Sequence, residues 1–183
     1  LTPAQRSMWF AEHLSGEHSI NIAQYLDLRF DRGFDHELFA DCVVGAAKAL
    51  ESPYVRLVEE GGIPGQVVDL TIDHRPRIRD FRGEQDPVAA ATDWMNADYQ
   101  APIDLIADKL VVTALLRVAD DRTFWYTRGH HIVIDGYAAL TLVRMTADRY
   151  NAVRRGTELV EKPLATLDEI VGGEQKLLLI DNH

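Results

Sequence analysis

The sequence predicts a two-layer α/β sandwich, in which a mixed sheet is flanked by helices. Three observations lead to this fold class: strand and helix signals alternate along the chain, the helices carry one apolar face each, and two apolar strands follow one another closely. A chain of 183 residues has the length of one domain or of one lobe of a larger domain. We therefore expect one layer of sheet, with one or two layers of helix packed against it.

Four helices are predicted from capping residues and from apolar positions that recur with a helical period. Thr2 and Pro3 form a hydroxyl N-cap followed by a proline, and Gly16 supplies the stop after this first helix. Asp35 begins the second helix, and Asp86 stands before a proline at the start of the third. The fourth is long, amphipathic and closed by a glycine. The expected ranges are 2–14, 35–50, 86–99 and 136–155.

Five strands are predicted from runs of apolar and β-branched residues that are bounded by turn signals. A segment rich in glycine and proline at 61–65 joins two short strands into a hairpin, and two aspartates form the turn between the two most apolar strands. The expected ranges are 21–30, 54–59, 66–70, 109–118 and 123–130. A further strand or loop carries alternating arginines, and we expect it to be a solvated edge. These arginines are Arg75, Arg77, Arg79 and Arg82.

Composition excludes several classes of function. The net charge of −10, from 29 acidic and 19 basic residues, argues against a surface that binds nucleic acid. No apolar run approaches the ~20 residues that a membrane span needs, so no membrane partner is expected. Cys42 lies on the apolar face of the second helix, which predicts a buried, inert thiol. Because it is the sole cysteine, no internal disulfide can form, and we expect a cytoplasmic location. Because the first residue is Leu1 and not Met, we expect a piece of a longer protein.

The segment from His130 to Gly136 is the sharpest local feature, because a predicted strand ends there and a helix begins. Neighbouring residues of a strand face opposite sides, so one of His130 and His131 can face the core while the other faces a cleft. A neutral imidazole in a cleft can accept a proton from a nucleophile near neutral pH. Asp135 is a candidate to fix the loop geometry, and Gly136 lets the backbone approach a substrate closely.

Two other interpretations of the histidine pair follow from the residues alone. A metal site would need more ligands, since adjacent histidines rarely bind one ion together. The remaining histidines show no ligand spacing, so we expect no metal: they are His13, His18, His36, His74 and His183. A purely structural pair, with both imidazoles satisfied in the core, stays open at this point.

Several segments together resemble one family. Residues 130–136 match the HHxxxDG motif of the acyltransferase superfamily that contains chloramphenicol acetyltransferase and the condensation domains of nonribosomal peptide synthetases. Residues 1–10 resemble the opening motif of condensation domains, and segments 57–68 and 102–117 resemble the early hairpin and the approach to the active-site strand. The order and spacing agree over residues 1–170, which would be the N-terminal lobe. Residues 171–183 would be a tail left by truncation or cloning.

The resemblance implies a chloramphenicol acetyltransferase-like lobe and a reaction. Such domains form an amide bond between a carrier-bound acyl or peptidyl thioester and a carrier-bound aminoacyl acceptor. His131 would be the catalytic histidine and take up the proton of the amine. His130 would be structural, Asp135 would form an ion pair that fixes the loop, and Gly136 would lie near the developing oxyanion. The domain itself would bind no cofactor, because substrates arrive on the 4′-phosphopantetheine of upstream and downstream carrier proteins.

The chain also departs from the family pattern. Ser7 stands where the opening motif usually has an arginine, and Tyr54 takes the place of the arginine that normally pairs with the motif aspartate. Arg56, expected on the same strand face as Tyr54, is the candidate substitute partner of Asp135. The approach strand at 125–128 and the following Tyr137 resemble the enterobactin-type branch, which takes aryl or fatty acyl starters.

A complete condensation domain is about twice this length, so the C-terminal lobe would be missing. We therefore expect the isolated chain to fold, to be inactive and to self-associate through an exposed apolar face. One alternative is a single-lobe oligomeric acyltransferase of the chloramphenicol acetyltransferase kind. There the motif lies near the C-terminus, whereas 52 residues follow His131 here. Another alternative is a non-catalytic lobe that binds carrier proteins.

Overall fold

The structure, a computed structural model, describes residues 1–15, 20–31, 33–160 and 164. Helices and strands alternate along it, as the sequence predicts. In chain order they are α1 (Pro3–Ser15), β1 (Asn21–Arg29), α2 (His36–Leu50), β2 (Val55–Glu60), β3 (Ile63–Val68), β4 (Arg77–Asp80), α3 (Pro87–Gln100), β5 (Val111–Ala119), β6 (Arg122–His130) and α4 (Gly136–Arg155). The expected stop at Gly16 and the expected tail at 171–183 lie outside the described residues.

Four of the strands form one mixed sheet in the order β1-β6-β5-β4. Strands β1, β6 and β5 pair antiparallel, and the short β4 pairs parallel with β5. Strands β2 and β3 form a separate hairpin. The end of β6, where the histidine pair stands, is therefore flanked by β1 on one side and β5 on the other.

Helices pack on both faces of this sheet, because consecutive residues of a strand point to opposite sides. Met95 of α3 packs with Leu116 of β5 on one face. Phe39 of α2 packs with Leu115 and Trp125 on the other face, where α4 also lies. The predicted α/β class, with a mixed sheet and flanking helices, is confirmed. The helices form two layers, one on each face of the sheet.

The predicted helix caps are confirmed in detail. The Asp35 carboxylate accepts a hydrogen bond from the Leu38 N–H at 2.9 Å, and Asp86 accepts one from Ala89 at 3.0 Å. Helix α4 ends at Gly156, whose φ of 63° is left-handed and therefore favours glycine. Local capping chemistry thus sets these helix ends.

The hairpin differs from its prediction at one boundary. Its turn consists of Gly61 and Gly62 alone, both with positive φ, so β3 begins at Ile63 rather than at residue 66. Pro64 is tolerated in β3 because, among the described residues, each strand of this hairpin pairs along one edge only. The turn is tighter than the four glycine and proline residues indicate.

The arginine-rich segment forms the exposed edge strand β4 and the residues around it, as expected. Arg75 pairs with Glu37 and Asp41 of α2, and Arg82 pairs with Asp80 and Asp120. These pairs are solvent-exposed, so each contributes little to stability. They neutralise much of the local positive charge at this edge of the sheet.

Cys42 is buried on α2, as the helical pattern predicts, and burial raises the pKa of its thiol above the usual value. A thiol of this kind is a poor nucleophile at neutral pH. Among the helices that the structure describes, none is both long enough and apolar enough to cross a bilayer.

Candidate active site

The histidine pair stands at the point where β6 leaves the sheet. The backbone N–H of His130 donates to the Leu110 carbonyl, and that of His131 donates to the Ile20 carbonyl, both at 2.8 Å. A short turn follows, and α4 begins at Gly136. The strand-to-helix junction that the sequence indicates is therefore present, and the two side chains point to opposite faces of the sheet.

His131 is half-buried and lines a cleft of about 360 Å³. The walls come from β1, the end of β6, the junction turn and the first turn of α4; they are Ile22, Ala23, Gln24, Thr127, Gly129, His131, Ile134, Gly136 and Ala139. Most of these side chains are small or apolar. The Nδ1 atom of His131 is buried and has no hydrogen-bond partner among the described residues. The ring is thus not committed to a structural hydrogen bond through Nδ1.

His130, by contrast, is fully buried and satisfied at both ring nitrogens. Its Nδ1 accepts the Ile132 N–H at 3.2 Å, so the ring proton sits on Nε2 and is donated to Oε1 of Glu12 at 2.9 Å. Burial lowers the pKa of His130 below its usual value, and the hydrogen bond to Glu12 opposes this shift in part. His130 is a neutral anchor inside the protein, without access to the cleft.

Asp135 caps α4 and does not pair with Arg56, so the predicted ion pair is wrong. The Asp135 carboxylate is exposed and accepts the Ala138 N–H at 2.7 Å, whereas Arg56 lies 3.3 Å from Asp69. The prediction extended the strand alternation back to Tyr54. Tyr54 belongs instead to a short 3₁₀ turn and is buried, so the alternation begins at Val55 and turns Arg56 toward solvent.

Two glycines border the cleft in different ways. A Cβ built on Gly136 would meet no atom within 4 Å, so this residue leaves open space at the start of α4. A Cβ on Gly129 would lie 2.2 Å from Cγ2 of the buried Ile134, so only glycine lets the junction turn close onto β6. Sequence reasoning missed Gly129, although a glycine inside a strand is a known sign of close backbone approach.

Helix α1 also contributes side chains that sequence reasoning missed. Gln5 donates from Nε2 to the Ile132 carbonyl at 2.9 Å and to Oε1 of Gln66 at 2.9 Å, and Glu12 holds His130. One stripe of α1 faces the interior of the protein, and it consists of positions 5, 8, 9 and 12. The sequence signal for these contacts was the presence of two polar residues, Gln5 and Glu12, on this inward-facing stripe, since buried polar groups need hydrogen-bond partners.

On the face of β6 opposite to His131, a buried ion pair connects the strand to α3. Arg128 and Asp98 are 2.7 Å apart, and the Tyr126 hydroxyl donates to the same carboxylate at 3.0 Å. Burial raises the pKa of Tyr126 well above its usual value, so it is a neutral donor. This network holds β6 against α3 on the side of the sheet away from His131.

The cleft is suited to proton transfer beside an apolar wall. A half-buried imidazole that lines a cleft can accept a proton from a nucleophile bound there. The first turn of α4 borders the same cleft, and the positive end of its dipole favours negative charge there. Within the described parts of the chain, no group of three or more histidine, cysteine, aspartate or glutamate residues is placed to hold a metal ion.

Sequence comparison connects this chain to one family. The family model described as condensation domain matches residues 1–176. Two curated relatives are each 33% identical over 93% of this chain: a dimodular nonribosomal peptide synthase from Bacillus subtilis (strain 168) and enterobactin synthase component F from Escherichia coli O157:H7. The chain spans only 7% and 13% of the length of these two relatives.

Solved structures agree with the sequence comparison. The starter condensation domain of rhizomide synthetase has a TM-score of 0.89 and 27% identity, over 98% of this chain and 43% of that one. The first condensation domain of the CDA synthetase has a TM-score of 0.82 and 25% identity, over 96% of this chain and 45% of that one. The chain therefore matches less than half of each solved domain and corresponds to the N-terminal lobe.

Proposed function

The chain belongs to the condensation-domain family of nonribosomal peptide synthetases, and we propose that it is the N-terminal lobe of a domain that joins two carrier-bound substrates through an amide bond. The donor is an acyl or peptidyl thioester, and the acceptor is an aminoacyl thioester. The observation that carries this proposal is the placement of His131, which lines an apolar cleft while its neighbour His130 is locked inside the protein.

In the proposed reaction, the acceptor amine attacks the donor thioester carbonyl. The new C–N bond forms as His131 takes the proton that the amine loses. The tetrahedral intermediate then collapses, the C–S bond breaks, and the proton passes to the departing thiolate. The first turn of α4, beginning at Gly136, borders the cleft, and its N-terminal dipole favours the negative charge that develops on the carbonyl oxygen.

The substrates we propose are thioesters carried on the 4′-phosphopantetheine of upstream and downstream carrier proteins. A mutant of the rhizomide starter condensation domain, which this chain matches with a TM-score of 0.90, was crystallised with C8-CoA and Leu-SNAC. That pair combines an acyl donor with an aminoacyl acceptor. Ile22 and Ile134 give the cleft beside His131 an apolar lining, which suits an acyl donor of the starter type.

We propose further that this lobe alone does not catalyse condensation. The cleft lies against β1, whose outer edge has no partner strand among the described residues, and a second lobe at that edge would supply a further wall. Tyr137 and Leu140, on the first turns of α4, are 77% and 65% exposed. We expect the second lobe to cover them in the complete domain, and self-association to cover them in the isolated chain.

The decisive test is His131→Ala in the complete synthetase, with both carrier domains loaded. We expect condensation to fall by about 10²–10⁴-fold, because the proton acceptor is gone, while thioester loading of the carriers is unchanged. Loading is measured by mass spectrometry of the carrier domains, and condensation by release of the amide product. A variant that condenses at the wild-type rate would contradict the role of His131 as proton acceptor, and with it the proposed function of this cleft.

A further inference from the structure

We propose that Gln5 and Glu12 of α1 are positioning residues for His131, and that they act by fixing Ile132, the next residue along the chain. The inference rests on the proposed role of His131 as proton acceptor. Both polar backbone groups of Ile132 are held by side chains: Gln5 binds its carbonyl directly, and Glu12 holds its N–H through His130. We call these contacts the α1 clamp.

The orientation of the Gln5 amide is set by the start of the helix. Thr2 N–H donates to Oε1 of Gln5 at 2.9 Å, and Gln5 N–H donates to the Thr2 hydroxyl at 3.2 Å, which is a capping box. Because Oε1 is used there, Nε2 must face inward with its two hydrogens. One goes to the Ile132 carbonyl and the other to Gln66 of β3, so the amide is fully satisfied in one orientation.

The second arm of the clamp depends on the tautomer of His130. Nδ1 can accept the Ile132 N–H only while the ring proton is on Nε2, and Glu12 stabilises that tautomer by accepting the proton's hydrogen bond. His130 is fully buried and the Glu12 side chain is 12% exposed, so little water is available to replace either partner. Loss of the Glu12 acceptor would leave a buried N–H unsatisfied.

Glu12 also reaches His131 by a shorter route. The same Oε1 accepts the Ile20 N–H at 2.6 Å, and the Ile20 carbonyl accepts the His131 N–H at 2.8 Å. The backbone on each side of the His131 side chain is therefore tied to α1. Since a backbone shift moves the whole imidazole, the clamp sets where the ring meets a substrate in the cleft. Misplacement by about 1 Å can cost on the order of 10²-fold in rate.

Three substitutions in the complete synthetase separate the contacts. Gln5→Glu keeps the acceptor for Thr2 but loses the donors to Ile132 and Gln66. Glu12→Leu removes the acceptor for His130, and Glu12→Gln keeps an acceptor at the same distance. We expect the first two to lower kcat for condensation on the order of 10²-fold with little change in KM, and Glu12→Gln to restore kcat to within a few-fold of wild type.

Arg6→Gln, on the exposed face of α1, is the matched control and should leave kcat unchanged. Because both arms hold the same residue, the Gln5→Glu/Glu12→Leu double variant should lose less than the product of the two single losses. If Glu12→Leu fails to fold, Glu12→Asp replaces it, since it retracts the carboxylate by one bond of about 1.5 Å and leaves the charge. Circular dichroism and thermal melting establish which variants are folded.

The outcomes distinguish this inference from the proposed function. Folded Gln5→Glu and Glu12→Leu variants with wild-type kcat would overturn the clamp, even if His131→Ala is inactive. Wild-type condensation by His131→Ala would overturn the proposed function itself. Melting temperatures that fall while kcat of the folded enzyme stays constant would show that α1 only stabilises the fold, and would also overturn the clamp.

Discussion

Ile134 occupies the space that a side chain at Gly129 would need, with only 2.2 Å between a Cβ at 129 and the Ile134 Cγ2. The two residues lie on either side of the histidine pair, one in β6 and the other just before α4. Their contact folds the junction turn back onto the sheet. Both residues also line the cleft beside His131, so a residue with no side chain contributes to the shape of that cleft.

Gly129→Ala is expected to destabilise the protein by about 1–3 kcal/mol, because the added methyl group overpacks a buried contact. Removal of the Ile134 Cγ2 in the Gly129→Ala/Ile134→Ala double variant should make the two changes non-additive. Gly136→Ala is the control: its Cβ meets nothing within 4 Å, so stability should change by less than about 0.5 kcal/mol. Chemical denaturation of these variants and of the Ile134→Ala single variant gives the comparison, and equal losses for both glycines would contradict the packing argument.

His74 should make the stability of the protein depend on pH. It is buried against Tyr54, with ring centroids 4.5 Å apart, and burial lowers its pKa to about 4. Because the unfolded chain binds this proton below pH 6.5 and the folded chain does not, stability is full above that pH and is lost as the pH falls toward 4. The loss attributable to His74 is about 3 kcal/mol.

Denaturation of wild type and of His74→Gln at pH 7 and pH 4.5 tests this. The variant should show a smaller difference between the two pH values than wild type. Burial also lowers the pKa values of His36 and His130, so part of the acid sensitivity should remain in the variant. An identical pH difference in both proteins would contradict the role of His74.

Asp135→Ala should cost about 1 kcal/mol, the usual value of a lost N-cap, because the carboxylate caps α4 and is exposed. A buried ion pair at this position would instead make the loss about 3–5 kcal/mol. Asp135→Ser keeps a capping oxygen and should recover most of the stability. Asp86→Ala, which removes the equivalent cap of α3, is a matched comparison in the same thermal melts.

The Arg128–Asp98 pair should be worth much more than the exposed pairs. Both side chains are largely buried, so Asp98→Ala leaves a guanidinium in the interior without its carboxylate and should cost about 3–5 kcal/mol. Asp27→Ala, which breaks the more exposed pairs with Arg122 and Arg29, should cost about 1 kcal/mol or less. Urea denaturation of the two variants gives the comparison, and similar losses would show that burial does not matter here.

Much of the fold was predictable because its signals are local. Asp35 and Asp86 cap the helices that they were expected to cap, and the alternation of β6 placed His130 and His131 on opposite faces. The resemblance to condensation domains, carried by residues 1–10 and 130–136, agrees with the family model. Short-range chemistry and recognisable motifs therefore determined the class, most elements and the candidate catalytic histidine.

The remaining features depend on contacts between residues far apart in the sequence. Glu12 and His130 are separated by 118 positions, and Gln5 and Ile132 by 127, so no local pattern connects them. The wrong prediction for Arg56 had a local cause. Tyr54 lies in a 3₁₀ turn and not in the strand, so Tyr54 and Arg56 do not follow the strand alternation that was used to place both side chains on one face. The alternation of side chains between the two faces of a strand cannot be extended to residues that precede its first residue.

The α1 contacts bear on how synthetases are recombined into hybrids. A crossover placed between α1 and β1 would join the first helix of one parent to the histidine-bearing strand of another. The hybrid would then combine positions 5 and 12 of one parent with positions 130 and 132 of the other, although these positions bond directly here. A junction that keeps α1 and the HHxxxDG segment from the same parent preserves these native partners.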